Sequence, residues 1–221
     1  PVLAVRFLPL LDYPVWIYQS HVLSNVQAFS DHFYISWLPV PNLGSTLPML
    51  VLTPLLGAEL AAKVLVLVNA FFFVIGYAYY VKGVSPAQAG IVYLGAAIVY
   101  NIFFIDGYLS FYLGLTLILF VFGFILRLPG PITWKNVIFL SLLSVGAYLF
   151  HLVIWFPIFI YIVITGVLKR QTIRWLISQI IPLILFLIYA LTRIGQEDIV
   201  IRFHQDLRNK IFALVSPLLP F

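Results

Sequence analysis

The chain contains no cysteine, one methionine and only seven acidic residues in 221. Without cysteine there is no disulfide, no thiolate metal site and no cysteine nucleophile, although the absence does not identify a compartment. Charge is scarce as well: Asp, Glu, Lys and Arg make up 9% of the residues, against 63% that are hydrophobic. That balance excludes a soluble globular domain, because no soluble core needs so much apolar surface. The net charge of +5 is spread over connecting segments, with no basic run or interleaved aromatic patch suited to nucleic acid. A phosphate-binding glycine loop, a zinc-protease histidine pair and a nucleophile elbow are all missing, so ATP-driven and hydrolytic chemistry have no residues to carry them. Segments of about ten residues with alternating polarity would mark an outer-membrane barrel, and no such pattern recurs. Helices are the remaining way to satisfy the backbone in lipid. The sequence therefore predicts an all-α, polytopic transmembrane helical bundle.

What is present is a series of apolar stretches of unequal length. Pro1 to Leu11, interrupted by Arg6, is shorter than the roughly 20 residues a span needs. It is expected to be the tail of a truncated first helix or a short interfacial arm. After Pro14, the spacing of Val15, Val22, Val26 and Phe29 predicts an amphipathic helix lying on the membrane. Trp37 to Pro41 favours an extended turn. Leu43 to Leu56, with Pro48 and Pro54, reads as re-entrant or interfacial. Spans are expected at Leu60 to Val81, Gln88 to Ile105, Tyr108 to Leu126 and Trp175 to Thr192. The stretch from Val137 to Leu168 would make a helix of roughly 48 Å at 1.5 Å per residue, too long for one span and too short for two full ones. It is expected to split at His151 into two short helices meeting at a thinned or water-filled region. Three regions follow: an extracytoplasmic juxtamembrane loop with the first-helix tail over 1–57, a bundle of about six helices over 58–193, and an outer interfacial segment over 194–221 leading toward a further helix.

Loop charges orient this arrangement. With Asp12 outside, Lys82, Arg127 with Lys135, and Lys169 with Arg170 and Arg174 all fall inside, as cytoplasmic connections should. The connections at Asp106-Gly107 and at His151 carry no Lys or Arg. Asp12, Asp106, His151 and the segment from Arg193 onward then share one side. The five tryptophans, Trp16, Trp37, Trp134, Trp155 and Trp175, are expected in an aromatic belt.

Several residues on that side are candidates for function. Asp12 in Leu11-Asp12-Tyr13-Pro14 is suited to capping the helix that follows, with proline compatible two residues later. Asp106-Gly107 is an ordinary tight-turn dipeptide, and an acid at the membrane surface also suits a hard divalent cation. His151 sits in a long apolar run, where an ionisable group must face protein or water; a hydrogen bond between helices would satisfy it equally. Arg193, Arg202, Arg208 and Lys210 could pair with a lipid-linked phosphate or simply contact headgroups. Ser110 and Asn101 are suited to hydrogen bonds between helices. His21, His32 and His204 show no metal-ligand spacing.

Asp12-Tyr13-Pro14 followed by a juxtamembrane helix, then Leu55-Leu56-Gly57-Ala58-Glu59-Leu60-Ala61-Ala62-Lys63, then Asp106 in a short second outer loop, resembles the GT-C superfamily of integral membrane glycosyltransferases. Members include protein mannosyltransferases and aminoarabinose transferases, which use polyprenyl-phosphate-linked sugars. Lys63 stands where the family frequently has Arg, and Phe103-Phe104-Ile105-Asp106 lacks the basic residue that often precedes the second acid. The resemblance implies sugar transfer on the extracytoplasmic face of a prokaryotic plasma membrane. Asp12 would act as general base or metal ligand, and Asp106 would serve with it in catalysis and in holding a divalent cation. His151, Arg193 and Arg202 would contact substrate. Its implied partners are the lipid-linked sugar donor, membrane lipids and other membrane subunits. A noncatalytic GT-C-fold scaffold subunit is the alternative, and a transporter, which inverted repeats would signal, comes third.

Overall fold

The computed structural model describes residues 8–33, 40–85 and 89–193, together with Val2, Val5 and Ala87. Helix is the regular structure these residues form, with no strand among them. Helix α1 (Tyr13–Ser24) starts with proline in its first turn, where the missing N–H costs nothing, and is followed by a 3₁₀ turn at Val26–Phe29. Helix α2 (Thr46–Leu56) is too short to cross a bilayer and ends at Gly57, whose φ of 75° only glycine adopts freely. Helix α3 (Ala58–Val84) and helix α6 (Leu109–Leu126) are both long and apolar enough to cross a membrane. Between them the chain forms a 3₁₀ turn at Ala89–Tyr93 and the short helices α4 (Leu94–Ile98) and α5 (Ile102–Ile105). Helices α7 (Trp134–Phe150) and α8 (Leu152–Leu168) follow, then α9 (Thr172–Ile177) and α10 (Ile180–Arg193).

The break at His151 lies where the length of the 137–168 stretch predicts it, and Leu43 to Leu56 is short, as expected. Two other expectations are corrected. Gln88 to Ile105 is not one continuous span, because the helix is interrupted over Val99 to Asn101. Asn101 accepts a hydrogen bond from the Phe104 N–H, starting a new turn, and the buried Tyr112 hydroxyl donates to the Val99 carbonyl. Polar side chains thus replace the missing helical bonds. Trp175 to Thr192 is likewise broken, at Ser178 and Gln179, both fully buried. Gln179 accepts from Trp155 Nε1 at 3.2 Å and donates to Ser144 and Ser178 at 2.9 and 3.0 Å. Replacing it, Gln179→Leu, strands the Trp155 N–H and removes the bond to the Ser144 hydroxyl, while the Ser178 hydroxyl keeps its bond to the Trp175 carbonyl. We expect a loss of about 1–3 kcal/mol, read as a lower thermal midpoint in detergent.

The predicted stripe on α1 does not form either. Val15 is exposed, Val26 and Phe29 lie beyond the helix end, and Tyr13, Ser20 and Val22 are the buried positions. The helix is rotated by polar bonds: Trp16 Nε1 donates to the Gly107 carbonyl at 2.8 Å, and the Ser20 hydroxyl donates back to the Trp16 carbonyl. The aromatic belt is corrected for two tryptophans. Trp155 and Trp175 are fully buried in the core; Trp16 is half-buried and bonded to the Gly107 turn, Trp134 is exposed, and Trp37 lies outside the described residues.

Helices α3 and α6 form the central pair. Midway along them the Thr116 hydroxyl donates to the buried Asn69 side chain at 2.8 Å, and Phe73 stacks on Tyr112. Gly114 brings α6 against α8, where an added Cβ would lie 2.6 Å from Ile154. The two ends of this frame carry opposite chemistry. At one end Arg127 donates to the Gly123 and Tyr79 carbonyls, Lys169 to the Leu128 carbonyl and Arg174 to the Ile132 carbonyl. At the other end, about 27 Å away along the 18 residues of α6, lie Asp106 and the start of α1.

Candidate functional site

Three backbone connections converge at the acidic end. The first is Leu10 to Tyr13, which runs alongside the α5–α6 turn: Leu11 N–H donates to the Ile105 carbonyl at 3.4 Å and Asp12 N–H to the Asp106 carbonyl at 3.0 Å. Gly107 makes this approach possible. Its φ is 74°, and a Cβ there would lie 3.0 Å from the Asp12 nitrogen. The second is the loop at Asn42 to Ser45, which passes between α6 and α7. Leu43 N–H donates to the Leu149 carbonyl at 2.8 Å, and Ser45 N–H to the Ser110 hydroxyl at 3.0 Å. A Cβ on Gly44 would fall 2.7 Å from the Phe150 Cα, so only glycine fits. Gly44→Val should therefore push this loop off α7 and destabilise the fold by about 1–3 kcal/mol, an overpacking cost read in thermal unfolding.

The third connection is the single residue His151 between α7 and α8. Its Nδ1 accepts the Val153 N–H at 3.2 Å, capping α8, and its ring meets Phe111 edge-on at 5.1 Å. Accepting at Nδ1 requires the neutral imidazole with its proton on Nε2. Burial lowers the imidazole pKa and so holds that form. An unfolded chain takes up the proton first, so this contribution to stability is complete above the ordinary histidine value of about 6.5 and is lost as pH falls below it. Thermal midpoints should fall from pH 7.5 to pH 5.5, and by less in His151→Asn, whose side chain caps without titrating.

These connections enclose a cavity of about 470 Å³, open on one side and lined by Asp12, Val15, Trp16, Asn42, Phe103, Tyr108, Ser110, Phe111 and His151. Asp12 stands at the cap position of α1, yet its side chain makes no capping hydrogen bond. The expected cap is therefore not formed by its side chain, and its half-buried carboxylate lines the cavity. Asp106 is beside it through the backbone, although its side chain is not part of the lining. Of the two acids only Asp12 therefore presents its carboxylate to the cavity, a small part of the oxygen shell a hard cation needs. No group of three or more Asp, Glu, His or Cys residues suited to a metal occurs among the described residues. Arg193 ends α10; Arg202, with Arg208 and Lys210, lies outside the described residues, as does the interfacial segment 194–221.

Lys63 and Tyr13 fasten the first connection to α3. Lys63, buried at 8% exposure, donates to the Val5 carbonyl and pairs with Glu59 at 3.6 Å. The Tyr13 hydroxyl donates to the Glu59 carbonyl; burial, with Glu59 adding to it, pushes this phenol up to about 12, so it remains a donor. Sequence reasoning missed Asn42 as a lining residue. Its signal was the Pro41-Asn42-Leu43-Gly44 run, since asparagine tolerates the left-handed φ of 75° that it adopts here. Ser110 was expected to bond between helices and instead anchors the Asn42–Ser45 loop, donating to the Asn42 carbonyl at 3.2 Å. Comparison of this chain with protein-family models, with curated proteins and with solved structures yields no match to any of the three.

Proposed function

We propose that this protein is a polytopic membrane glycosyltransferase with a GT-C-like arrangement. It would move a sugar from a polyprenyl-phosphate donor to an acceptor at the face of the membrane where Asp12 lies, the extracytoplasmic one. The observation that supports this reading best is the cavity itself: a carboxylate with no capping bond on the first connection, seated against the α5–α6 turn that carries Asp106, lining an aromatic-walled space together with a fixed imidazole. The cationic connections at the opposite end match cytoplasmic loops under the positive-inside rule.

In this mechanism Asp12 takes the proton from an acceptor hydroxyl or amine as that atom bonds to the anomeric carbon. The bond from that carbon to the phosphate oxygen breaks, and polyprenyl phosphate leaves with the electron pair. Trp16, Phe103, Tyr108 and Phe111 supply apolar faces that exclude water from the reacting atoms, which strengthens each remaining polar contact. Arg193, which ends α10, and Arg202 would contact the donor phosphate.

The test is transfer by purified protein in proteoliposomes supplied with a panel of polyprenyl-phosphate sugars and peptide, lipid or glycan acceptors. Sugar transfer that depends on Asp12 is the expected result. Absence of transfer to every acceptor, with co-purification in fixed stoichiometry and tolerance of changes at both Asp12 and Asp106, would replace this reading with that of a noncatalytic scaffold subunit.

A further inference from the structure

The cavity at the acidic end has a charge and a wall chemistry that sugar transfer does not by itself require. Asp12 is the one ionised side chain in its lining, since His151 accepts a hydrogen bond as the neutral imidazole and neither Lys nor Arg contributes. Among the described residues the ion pair is Lys63 with Glu59, so no cation of the protein neutralises the Asp12 carboxylate. Asp106, joined to Asp12 by the backbone bond of 3.0 Å, adds to the negative potential. An anion entering this space is repelled, and a cation is attracted.

The walls point the same way. Trp16 of α1, Phe103 of α5, Tyr108 of the α5–α6 turn and Phe111 of α6 all line the cavity. Phe103 and Phe111 pack with ring centroids 4.4 Å apart, and Phe111 meets the His151 ring at 5.1 Å, so these side chains are held in place. Donors that an anion would need are already used: the Trp16 N–H goes to the Gly107 carbonyl at 2.8 Å, and the Ser110 hydroxyl to the Asn42 carbonyl at 3.2 Å. What the aromatic residues then offer is mainly π surface, whose negative face attracts cations. The chain exploits this attraction at its cationic end, where Arg127 lies 3.9 Å from the Tyr79 ring centroid and Lys169 5.7 Å from that of Trp175. At the acidic end the rings are accompanied by a carboxylate instead.

We propose that this cavity binds an alkylammonium group, held against the aromatic side chains of Trp16, Phe103, Tyr108 and Phe111 with the Asp12 carboxylate as counter-ion. Its volume of about 470 Å³ accommodates a group as large as choline, and its open side admits either a soluble amine or the headgroup of a lipid. The depth suits both, because α6 separates this end from the cationic one by about 27 Å, close to the thickness of the hydrocarbon core. The proposal rests on the transferase reading only for the role of the ligand. In that reading the acceptor is a molecule that carries an ammonium group.

The experiment uses the full chain in dodecyl maltoside, a detergent with neither charge nor ammonium, and measures equilibrium binding of choline. The reference ligand is the uncharged alcohol in which a quaternary carbon replaces the choline nitrogen. Choline is expected to bind about tenfold or more tightly than this isostere, and excess inorganic phosphate is expected not to compete. Asp12→Asn should lower choline affinity by about tenfold or more, as loss of a charged partner does, at an unchanged thermal midpoint. Tyr108 is exposed, so Tyr108→Leu keeps the fold; it and Phe103→Leu should each weaken choline roughly two- to thirtyfold. No choline binding by wild type, equal binding of the isostere, competition by phosphate, or unchanged choline affinity in Asp12→Asn or in both aromatic variants each overturns the assignment. The same titration in phosphatidylcholine nanodiscs assigns the source. Loss of the choline signal there means that lipid headgroups fill the site, and its retention means that the ligand is a soluble alkylammonium. Choline binding with the expected variant losses, but no sugar transfer by wild type, would keep this site and discard the transferase reading. Asp12-dependent transfer without choline binding would do the reverse.

Discussion

Asp12→Asn should insert and unfold like wild type yet transfer sugar roughly 10²–10⁴-fold more slowly, the range a positioned general base contributes. The structure makes this substitution a clean one. The Asp12 side chain makes no capping bond, so asparagine, an equally good cap, removes no fold-stabilising contact. The bonds that place this residue, from Asp12 N–H to the Asp106 carbonyl and from the Val15 and Trp16 N–H groups to the Asp12 carbonyl, belong to the backbone and survive the change. A loss of transfer at unchanged thermal midpoint therefore isolates the carboxylate. Equal transfer by variant and wild type, in vesicles matched for protein and donor, would remove Asp12 from the chemistry. A loss confined to donor binding would instead make it part of the donor site.

How far the site could be read from sequence depends on what kind of signal each part leaves. The break at His151 was legible because the length of an apolar run is a one-dimensional property: the 137–168 stretch exceeds one span and falls short of two. The grouping of Asp12, Asp106 and His151 was legible from loop charge alone, and the cationic residues Arg127, Lys169 and Arg174 do gather at the opposite end. The rotation of α1 was not legible. Hydropathy spacing favoured Val15, Val22, Val26 and Phe29, but one indole hydrogen bond from Trp16 to the Gly107 carbonyl, about 90 residues away in sequence, sets which face turns inward. The interruptions at Val99–Asn101 and Ser178–Gln179 were hidden for a related reason. In apolar surroundings a helix breaks where side chains can replace the lost backbone bonds, and Tyr112, Asn101 and Gln179 do so from positions that hydropathy does not rank. Asn42 escaped notice because its contribution is a backbone conformation together with a place in the lining.

Gly107 shows how local backbone geometry and the proposed chemistry depend on one another, and Gly107→Val should have the largest structural effect of any single change at this end. The residue occupies a φ of 74°, which costs an L-residue about 1–2 kcal/mol, and a β-branched side chain more. A Cβ there would lie 3.0 Å from the Asp12 nitrogen, 3.2 Å from the Tyr13 nitrogen and 3.2 Å from the Leu10 Cβ. Two of these neighbours are backbone atoms that cannot turn aside, so the first connection must lift away from the α5–α6 turn. Lifting it breaks the Asp12–Asp106 and Leu11–Ile105 backbone bonds and draws the Trp16 indole off the Gly107 carbonyl. Several kcal/mol of stability should be lost as these terms combine with overpacking. Gly107→Ala removes the larger side chain but keeps the strain, and so should retain the fold with a lowered thermal midpoint. Its transfer should fall further than its stability explains, because Asp12 moves relative to His151 and a displacement of about 1 Å can cost roughly 10²-fold in rate. The comparison is made at a temperature where both proteins remain folded. A Gly107→Ala protein with wild-type transfer there would show that the seating of Asp12 against the α5–α6 turn does not govern the chemistry.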